Sequence, residues 1–391
     1  MCSQPCVDII IVNYHSANDI KRCLESLGPW PYGRIVLVDN SEDASESDAL
    51  RQLAMGRPEV ELLTPAQNLG FGRGCNLAFE RCRAEYVLLL NPDALISAKE
   101  VVTLARTLDS SPTLGAVSPR IYWNAERSFL LPSAFPQSPL AELAMALASR
   151  SARVTRWAAG RYVEHARQKM TASTPFEVDF LAGAVMMLRR HAVLRAGGLF
   201  DPDYFMFFED SDLSVRLRRA GYTLAMVPSA SAVHEYRHKA FKAELMAQSQ
   251  QTYFSKRFPR FHAWSRKLKL VGALAREIDP ADWFALANLQ VSSGADFASQ
   301  TGSAAVLAVS PSLLMRPAMF RPAWGEALNF SEAEWALLEP ASYVALIRRE
   351  AGPQRTDWVH FQRMPEPSPL INPEAPSSHK SSTRSKPSAL P

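Results

Sequence analysis

The chain has 391 residues, 47% of them hydrophobic, enough for a large core and for more than one domain. Its formal net charge of +4 argues against a dedicated nucleic-acid binder, whose basic residues would dominate the total. The five cysteines, Cys2, Cys6, Cys23, Cys75 and Cys82, match neither a zinc pattern nor a disulfide framework, and an odd count leaves one unpaired.

Reduced thiols in a cytoplasmic protein are therefore expected. No window approaches the roughly 18 apolar residues that span a bilayer. Residues 1–5 lack the basic and apolar regions of a signal peptide. The expectation is a soluble chain, at most held peripherally on the inner face of the membrane.

Residues 7–13 read Val-Asp-Ile-Ile-Ile-Val-Asn, too apolar for a half-exposed strand, and are predicted as a strand covered on both faces. Residues 18–27 show helical spacing, with Ile20, Leu24 and Leu27 on one stripe, and Gly28, Pro29 and Pro31 stop them. Residues 34–38 form a second strand ending at Asp39-Asn40-Ser41, followed by a helix over 48–55 and a strand over 60–63. A helix over 74–83 leads to a strand over 86–90, which ends at Asn91-Pro92-Asp93, and residues 98–108 are again helical. This alternation predicts an α/β protein with a mostly parallel sheet and helices on both faces. Ligands of such sheets bind beyond the carboxyl ends of the strands, so Asn13, Asp39 and Asp93 should gather at one rim.

A further strand is expected over 114–121. Residues 128–175 break the pattern, with Pro132, Pro136 and Pro139 before a long helical stretch. Between 150 and 169, Arg150, Arg153, Arg156, Arg161, Arg167 and Lys169 stand against one acid, Glu164, while Leu140, Leu143, Leu147, Val154 and Trp157 supply an apolar side. This is either a solvated helical face or a basic amphipathic patch for an anionic membrane or a diphosphate-bearing acceptor. Strand character returns over 176–188 around Gly183. Residues 200–208 are aromatic and loop-like, 210–220 helical, and 223–227 a strand followed by a loop to His234. A helix over 241–258 comes next. After Pro259 the character changes, and no chemical constellation stands out. The tail 365–391 is rich in Pro, Ser and Lys and is expected to be disordered.

Four stretches carry candidate chemistry. Asp93 follows a buried strand in a turn fixed by Pro92, where a carboxylate could hold Mg²⁺ or Mn²⁺ against a diphosphate, although Asn-Pro-Asp alone is an ordinary turn. In the segment 67–76, Gly70, Gly72 and Gly74 would let a backbone approach a ligand, a helix near Gly74 would offer free N–H groups to an anion, and Arg73 could reach a phosphate; a plain turn is the alternative. Glu209, Asp210 and Asp212 follow the aromatic run 205–208. One of them could take a proton from an acceptor hydroxyl, with apolar surroundings raising its pKa. Helix capping by Asp210 and an Asp212–Arg216 ion pair are the plainer reading. His234, a lone histidine, gains weight from its place near the rim of Asp93.

These pieces lie within Ile9-Ile10-Ile11-Val12-Asn13-Tyr14, Val36-Leu37-Val38-Asp39-Asn40-Ser41, Asn68-Leu69-Gly70-Phe71-Gly72, Leu89-Leu90-Asn91-Pro92-Asp93, Leu181-Ala182-Gly183-Ala184, Gly198-Leu199-Phe200-Asp201 and the stretch from Phe208 to Leu217. In this order, over about residues 7 to 240, they resemble family 2 glycosyltransferases of the GT-A fold, and more narrowly the bacterial branch described as rhamnosyltransferases. The resemblance implies a Rossmann-like nucleotide-binding half joined to an acceptor half. It implies that Asp39 contacts the base or ribose beside Asn13 and Tyr14, and that Asn68 and Arg73 line the donor pocket. Asp93 matches the second acid of the family's DXD motif, and Asn91 stands where the first often does, which leaves one fewer anionic ligand for the divalent metal. Asp210 matches the catalytic base, with Glu209 its neighbour. His234 matches a late histidine that completes the metal or diphosphate site, and Gly183 belongs to the loop under sugar and acceptor. The expected domains are a GT-A domain over 1–261 with a helical basic insertion at 128–175 and, outside the resemblance, an accessory domain over 262–364 read from the change in character after Pro259.

The implied reaction is a single in-line displacement that inverts the anomeric centre. A sugar, rhamnose from dTDP-rhamnose by analogy, would pass to a hydroxyl of a glycan or lipid-linked acceptor in cell-surface polysaccharide synthesis. The alternatives are a different UDP- or GDP-linked donor and a non-catalytic nucleotide-sugar-binding scaffold, against which the retained Asp93, Asp210 and His234 argue. The expected partners are the donor, the acceptor and a membrane surface met through 150–169. Nucleic acid is not expected, because that stretch lacks interleaved stacking aromatics.

Overall fold

The computed structural model describes residues 5–131, 137–148, 151–236, 242–268, 286–312, 315, 318–322, 329–348 and 356–365. Among these, nine strands form one sheet: β1 (Val7–Asn13), β2 (Ile35–Asp39), β3 (Val60–Leu63), β4 (Tyr86–Leu90), β5 (Ala94–Leu95), β6 (Leu114–Tyr122), β7 (Phe176–Val178), β8 (Val185–Arg189) and β9 (Thr223–His234). Their order is β3-β2-β1-β4-β8-β6-β9-β5, with β7 beside β9. The sheet is parallel through β3-β2-β1-β4 and between β6 and β9, whereas β8, β5 and β7 run antiparallel to their neighbours. Helices Ala17–Leu27, Ala44–Met55 and Gly70–Phe79 provide the crossovers that parallel neighbours require.

Every residue of β1, β2 and β4 is buried, which is why these strands read as unbroken apolar runs. Side chains alternate between two cores. Ile9, Ile11, Ile35, Leu37, Leu88 and Leu90 pack with helices 17–27 and 98–110; Ile10, Val12, Val36, Val38, Val87 and Leu89 pack with helices 70–79 and 209–219.

Several boundaries differ from the sequence expectation. The helix expected from residue 48 starts at Ala44, because the Asp43 carboxylate caps it by accepting from the Ser45 and Glu46 N–H groups. The span 176–188 divides into β7 and β8 with a loop around Gly183. The loop expected before His234 is strand: β9 runs unbroken to His234, its register on β6 shifting between Pro119–Val227 and Arg120–Ser231. Pro228 lies in that shift and lacks the N–H a regular ladder would use.

Helices Pro139–Ala148 and Ala152–Met170 form a hairpin, and Lys242–Arg257 is followed by Pro259–Leu268. A second sheet has β10 (Leu286–Val291), β11 (Ala305–Ser310), β12 (Met319–Phe320), β13 (Ser342–Arg348) and β14 (Thr356–Arg363), in the order β10-β14-β13-β11-β12. It shares a core with the first sheet. Leu130 and Phe320 exchange backbone hydrogen bonds of 2.8 and 3.0 Å, and Phe129 stacks on Phe330. The buried Arg321–Glu334 ion pair (3.1 Å) accepts the Ser128 hydroxyl and places its guanidinium over the Phe129 ring. The expected tail disorder, together with Pro132, Pro136, Arg150 and Cys2, lies outside the described residues. Among the described residues no helix is long and apolar enough to cross a membrane, and Cys6, Cys23, Cys75 and Cys82 are free thiols.

Candidate active site

Parallel strands bring their carboxyl ends to one edge. Asn13 and Asp39 are the last residues of β1 and β2 and are register partners. The Asn13 amide donates to Asp39 Oδ1 at 3.0 Å, and the same oxygen accepts the Ser41 N–H at 3.0 Å; Ser47 Oγ donates to Oδ2. Burial pushes the Asp39 carboxyl up, but the bonds from Ser47, Ser41 and Asn13 outweigh it and hold the group below its ordinary value. Asp39 is thus a fixed anion, suited to accepting from hydroxyl or N–H groups of a ligand. Tyr14 follows Asn13 and is exposed.

The rim continues through β4. The Asn91 N–H donates to the Ala184 carbonyl at 2.8 Å, so the loop before β8 starts beside the end of β4. In that loop the Gly183 N–H donates to Asp210 Oδ2 at 3.1 Å. Asp210 lies in the first turn of helix Glu209–Arg219 and also accepts the Ser211 N–H at 2.7 Å. On the other side of Asn91, Asp93 Oδ1 lies 3.2 Å from His234 Nε2, because Ala94 of β5 pairs with His234 of β9. Asn91, Asp93, His234, Gly183 and Asp210 are therefore joined through one strand end and the two turns beside it.

Glu209 and Asp210 face different surroundings. Glu209 is buried, and its Oε2 has no hydrogen-bond partner. Burial, then the neighbouring Asp210 charge, push the Glu209 carboxyl well above its ordinary value. Burial also raises Asp210, while the Gly183 and Ser211 N–H groups act in the opposite direction. Glu209 accordingly keeps the proton, and Asp210 is the anion of the pair. An elevated but still titrating carboxylate is the form a general base needs.

The turn that presents this pair is strained. Phe207 and Phe208 have φ of 70° and 65°, a left-handed conformation unfavourable for bulky residues. The Phe208 ring lies 5.5 Å from Tyr253 of helix 242–257, and Ser249 Oγ donates to the Met206 carbonyl. Asp212 belongs to the support and not to the rim: it is fully buried, accepts from Arg216 Nε at 2.7 Å and from Arg257 Nε, and receives the Tyr204 hydroxyl. The expected Asp212–Arg216 pair is present; Arg257, distant in sequence and carrying no motif, was not foreseen.

The glycine-rich segment does something other than expected. Its helix begins at Gly70, four residues before the predicted start, and its first N–H groups are already taken. Gly70 N–H donates to Asn68 Oδ1 at 2.8 Å, and Phe71 N–H donates to the Phe205 carbonyl at 2.8 Å. A Cβ on Gly70 would lie 2.5 Å from the Phe205 oxygen, and one on Gly72 would lie 2.8 Å from the Tyr204 oxygen. The glycines thus allow the helix to approach the chain's own loop 204–205. Arg73 is exposed, and its Nε donates to the Pro202 carbonyl at 2.8 Å. Asn68 and Arg73 are therefore engaged in local structure. Asn40, which bonds Gly70 O at 2.9 Å, ties the β2 end to this segment.

Among the described residues, no group of three or more His, Cys, Asp or Glu side chains could hold a metal. Asp93 and His234 converge as one oxygen and one nitrogen donor. Such a pair could hold a divalent cation only if diphosphate oxygens and water completed its shell.

Residues 5–254 match the family model described as glycosyltransferase like family 2. The chain is 28% identical over 263 residues to an N-acetylglucosaminyl-diphospho-decaprenol L-rhamnosyltransferase of Mycobacterium tuberculosis, covering 63% of this chain and 82% of that one. It is 27% identical over 266 residues to the rhamnosyltransferase WbbL of Escherichia coli, covering 66% and 89%. Among solved structures it is similar to the mannosyltransferase PcManGT of Pyrobaculum calidifontis in complex with GDP-Man and Mn²⁺, with 19% identity, TM-score 0.46, and coverage of 70% and 73%. With well over half its length matched by the family model, the chain belongs to glycosyltransferase family 2, has the GT-A fold and is a glycosyltransferase.

Proposed function

We propose that this enzyme transfers rhamnose from dTDP-rhamnose, with inversion, to a hydroxyl of a lipid-linked or polysaccharide acceptor. The observation that carries the reading is the Asp210 carboxylate, held by Gly183 N–H and raised by burial, on the same rim as Asp39 and Asp93–His234. The rhamnosyltransferase names of two relatives support the choice of sugar, and the decaprenol-linked acceptor in one name supports the lipid-linked class.

In the proposed mechanism Asp39 orients the nucleoside by accepting its hydroxyl or N–H donors, with Asn13 fixing the carboxylate and Tyr14 lying alongside. Asp210 accepts the proton of the acceptor hydroxyl. The new bond forms between that oxygen and the anomeric carbon, and the bond from the anomeric carbon to the diphosphate oxygen breaks on the opposite face. Gly183 keeps the base in place and borders the acceptor side. Asp93 and His234 would hold Mg²⁺ or Mn²⁺, with Asn91 beside them as a neutral donor. When bound, the cation supplies positive charge against the departing diphosphate. Arg73 would have to leave Pro202 to add to that charge.

The test is a screen of nucleotide-sugars with the purified enzyme and with Asp210→Asn. We expect turnover of dTDP-rhamnose, retained donor binding in Asp210→Asn, and transfer lowered by about 10²–10⁴. Silence with dTDP-rhamnose beside turnover of a UDP- or GDP-sugar would replace the donor. Transfer by Asp210→Asn near the wild-type rate would remove Asp210 as the base.

A further inference from the structure

The helical hairpin 139–170 carries two apolar surfaces, and folding uses only one. On helix Ala152–Met170, Thr155, Ala159, Tyr162, Val163, Ala166 and Met170 are buried, most of them in the second core, and Gly160 passes Trp358 of the second sheet. The opposite side is not uniformly polar. Leu140, Ala144 and Leu147 fall at i, i+4 and i+7 on the first helix and are exposed; Val154 and Trp157 continue the exposed apolar residues on the second. Leu140 is 77% exposed, Leu147 55% and Trp157 68%, high values for such side chains on a helix that already has a buried face.

The charges beside this edge are mostly basic. Arg153, Arg161 and Lys169 are exposed on the same helix. Of the hairpin's acids, Glu164 lies on this side too but is engaged by Arg167 and Gln168, and Glu142 lies 3.3 Å from Gln250. Exposed leucine and tryptophan flanked by arginine complement an interface with an apolar interior and anionic headgroups. The hairpin also neighbours the reaction site. The Tyr253 hydroxyl donates to the Gln137 carbonyl, and the Tyr253 ring packs on Phe208, the residue before Glu209.

We propose that the exposed apolar edge of hairpin 139–170, with its flanking arginines, docks on an anionic lipid bilayer and thereby brings a membrane-borne acceptor to the Asp210 side of the rim. The docking takes its purpose from the lipid-linked acceptor proposed above and rests on that reading. Its test does not, because vesicle binding is measured without any sugar substrate.

The full chain is floated with phosphatidylcholine vesicles, with and without phosphatidylglycerol, at low and high salt. We expect co-flotation only with phosphatidylglycerol, weakened by salt. Arg153→Gln with Arg161→Gln should weaken binding by on the order of thirtyfold, taking about 1 kcal/mol per basic residue at such a surface. Leu147→Ser with Trp157→Ser should weaken it at least about tenfold. Hydrolysis of soluble donor should stay unchanged in both variants. In the unaltered protein, bromine-labelled lipid should quench tryptophan fluorescence, and Trp157→Phe should remove most of that quenching. Absence of flotation, flotation equal in all variants, or quenching that survives Trp157→Phe would each overturn the proposal. So would a dimer in sedimentation that Leu147→Ser with Trp157→Ser converts to monomer, since the edge would then cover a second copy. Donor hydrolysis failing while flotation behaves as expected would count against the transferase reading alone.

Discussion

At the scale of single residues, adjacency does not make Glu209 and Asp210 equivalent. Asp210 has two backbone donors and Glu209 Oε2 has none, so Glu209 is the carboxyl that holds its proton more tightly. Glu209→Gln should therefore retain transfer within about tenfold, since it keeps shape and neutrality, in contrast to Asp210→Asn. Activity should rise with pH through an acidic limb above the usual carboxylate range, because a base works only when deprotonated and burial raises Asp210. Glu209→Gln should leave that limb near its wild-type place; loss of the limb would exchange the two roles. Stability gives a second readout. A carboxyl whose folded pKa is raised keeps its proton in the folded protein after the unfolded chain has released it, so its contribution falls as pH climbs from about 4.3 through the folded value. Denaturant titrations should show Glu209→Gln gaining on the wild type at pH above neutrality relative to pH near 4. For Asp93 and His234, chelation should suppress transfer, and His234→Gln should raise the Mn²⁺ concentration for half-maximal rate by at least about tenfold. Full activity in chelator would remove the metal from the reading.

At the scale of elements, the site depends on how tightly the glycine-started helix seats on the loop that leads to the base. Gly70 has φ +76° and no room for a Cβ against the Phe205 oxygen. Gly70→Ala should cost about 1–3 kcal/mol and should lower kcat through displacement of residues 205–210, as measured by unfolding and by steady-state rates. Unchanged kcat would show that this loop moves independently of the base. The segment was legible in the sequence as important and misleading as to why. Glycine spacing signals close approach, but only tertiary packing decides whether the approaching group is a ligand or the protein's own carbonyl. Asp212 is a parallel case: its spacing to Arg216 is visible along one helix, whereas Arg257 arrives from another.

At the scale of the whole molecule, the two sheets are fastened by the Leu130–Phe320 ladder and by Ser128 on the buried Arg321–Glu334 pair. Removing the chain after residue 268 would expose Phe129, which is fully buried in the intact protein, and deprive Leu130 of its partners. We expect that truncation to aggregate or to melt well below the full chain in thermal unfolding. A truncated protein that keeps both its melting temperature and its donor hydrolysis would make 262–364 a separable accessory domain.

The alternation of buried strands and crossover helices is legible in the order of the residues. A strand covered on both faces must be continuously apolar, and parallel neighbours need a helix between them. From that it follows that Asn13, Asp39 and Asp93 meet at one edge, since parallel strands end on the same side. Tertiary structure decided what periodicity does not encode. It continued β9 through a bulge to His234, turned Arg73 to Pro202, and buried Glu209 while leaving Asp210 at the rim. Each of these depends on which group from a distant segment satisfies a polar atom, and the local pattern of residues carries no record of that partner.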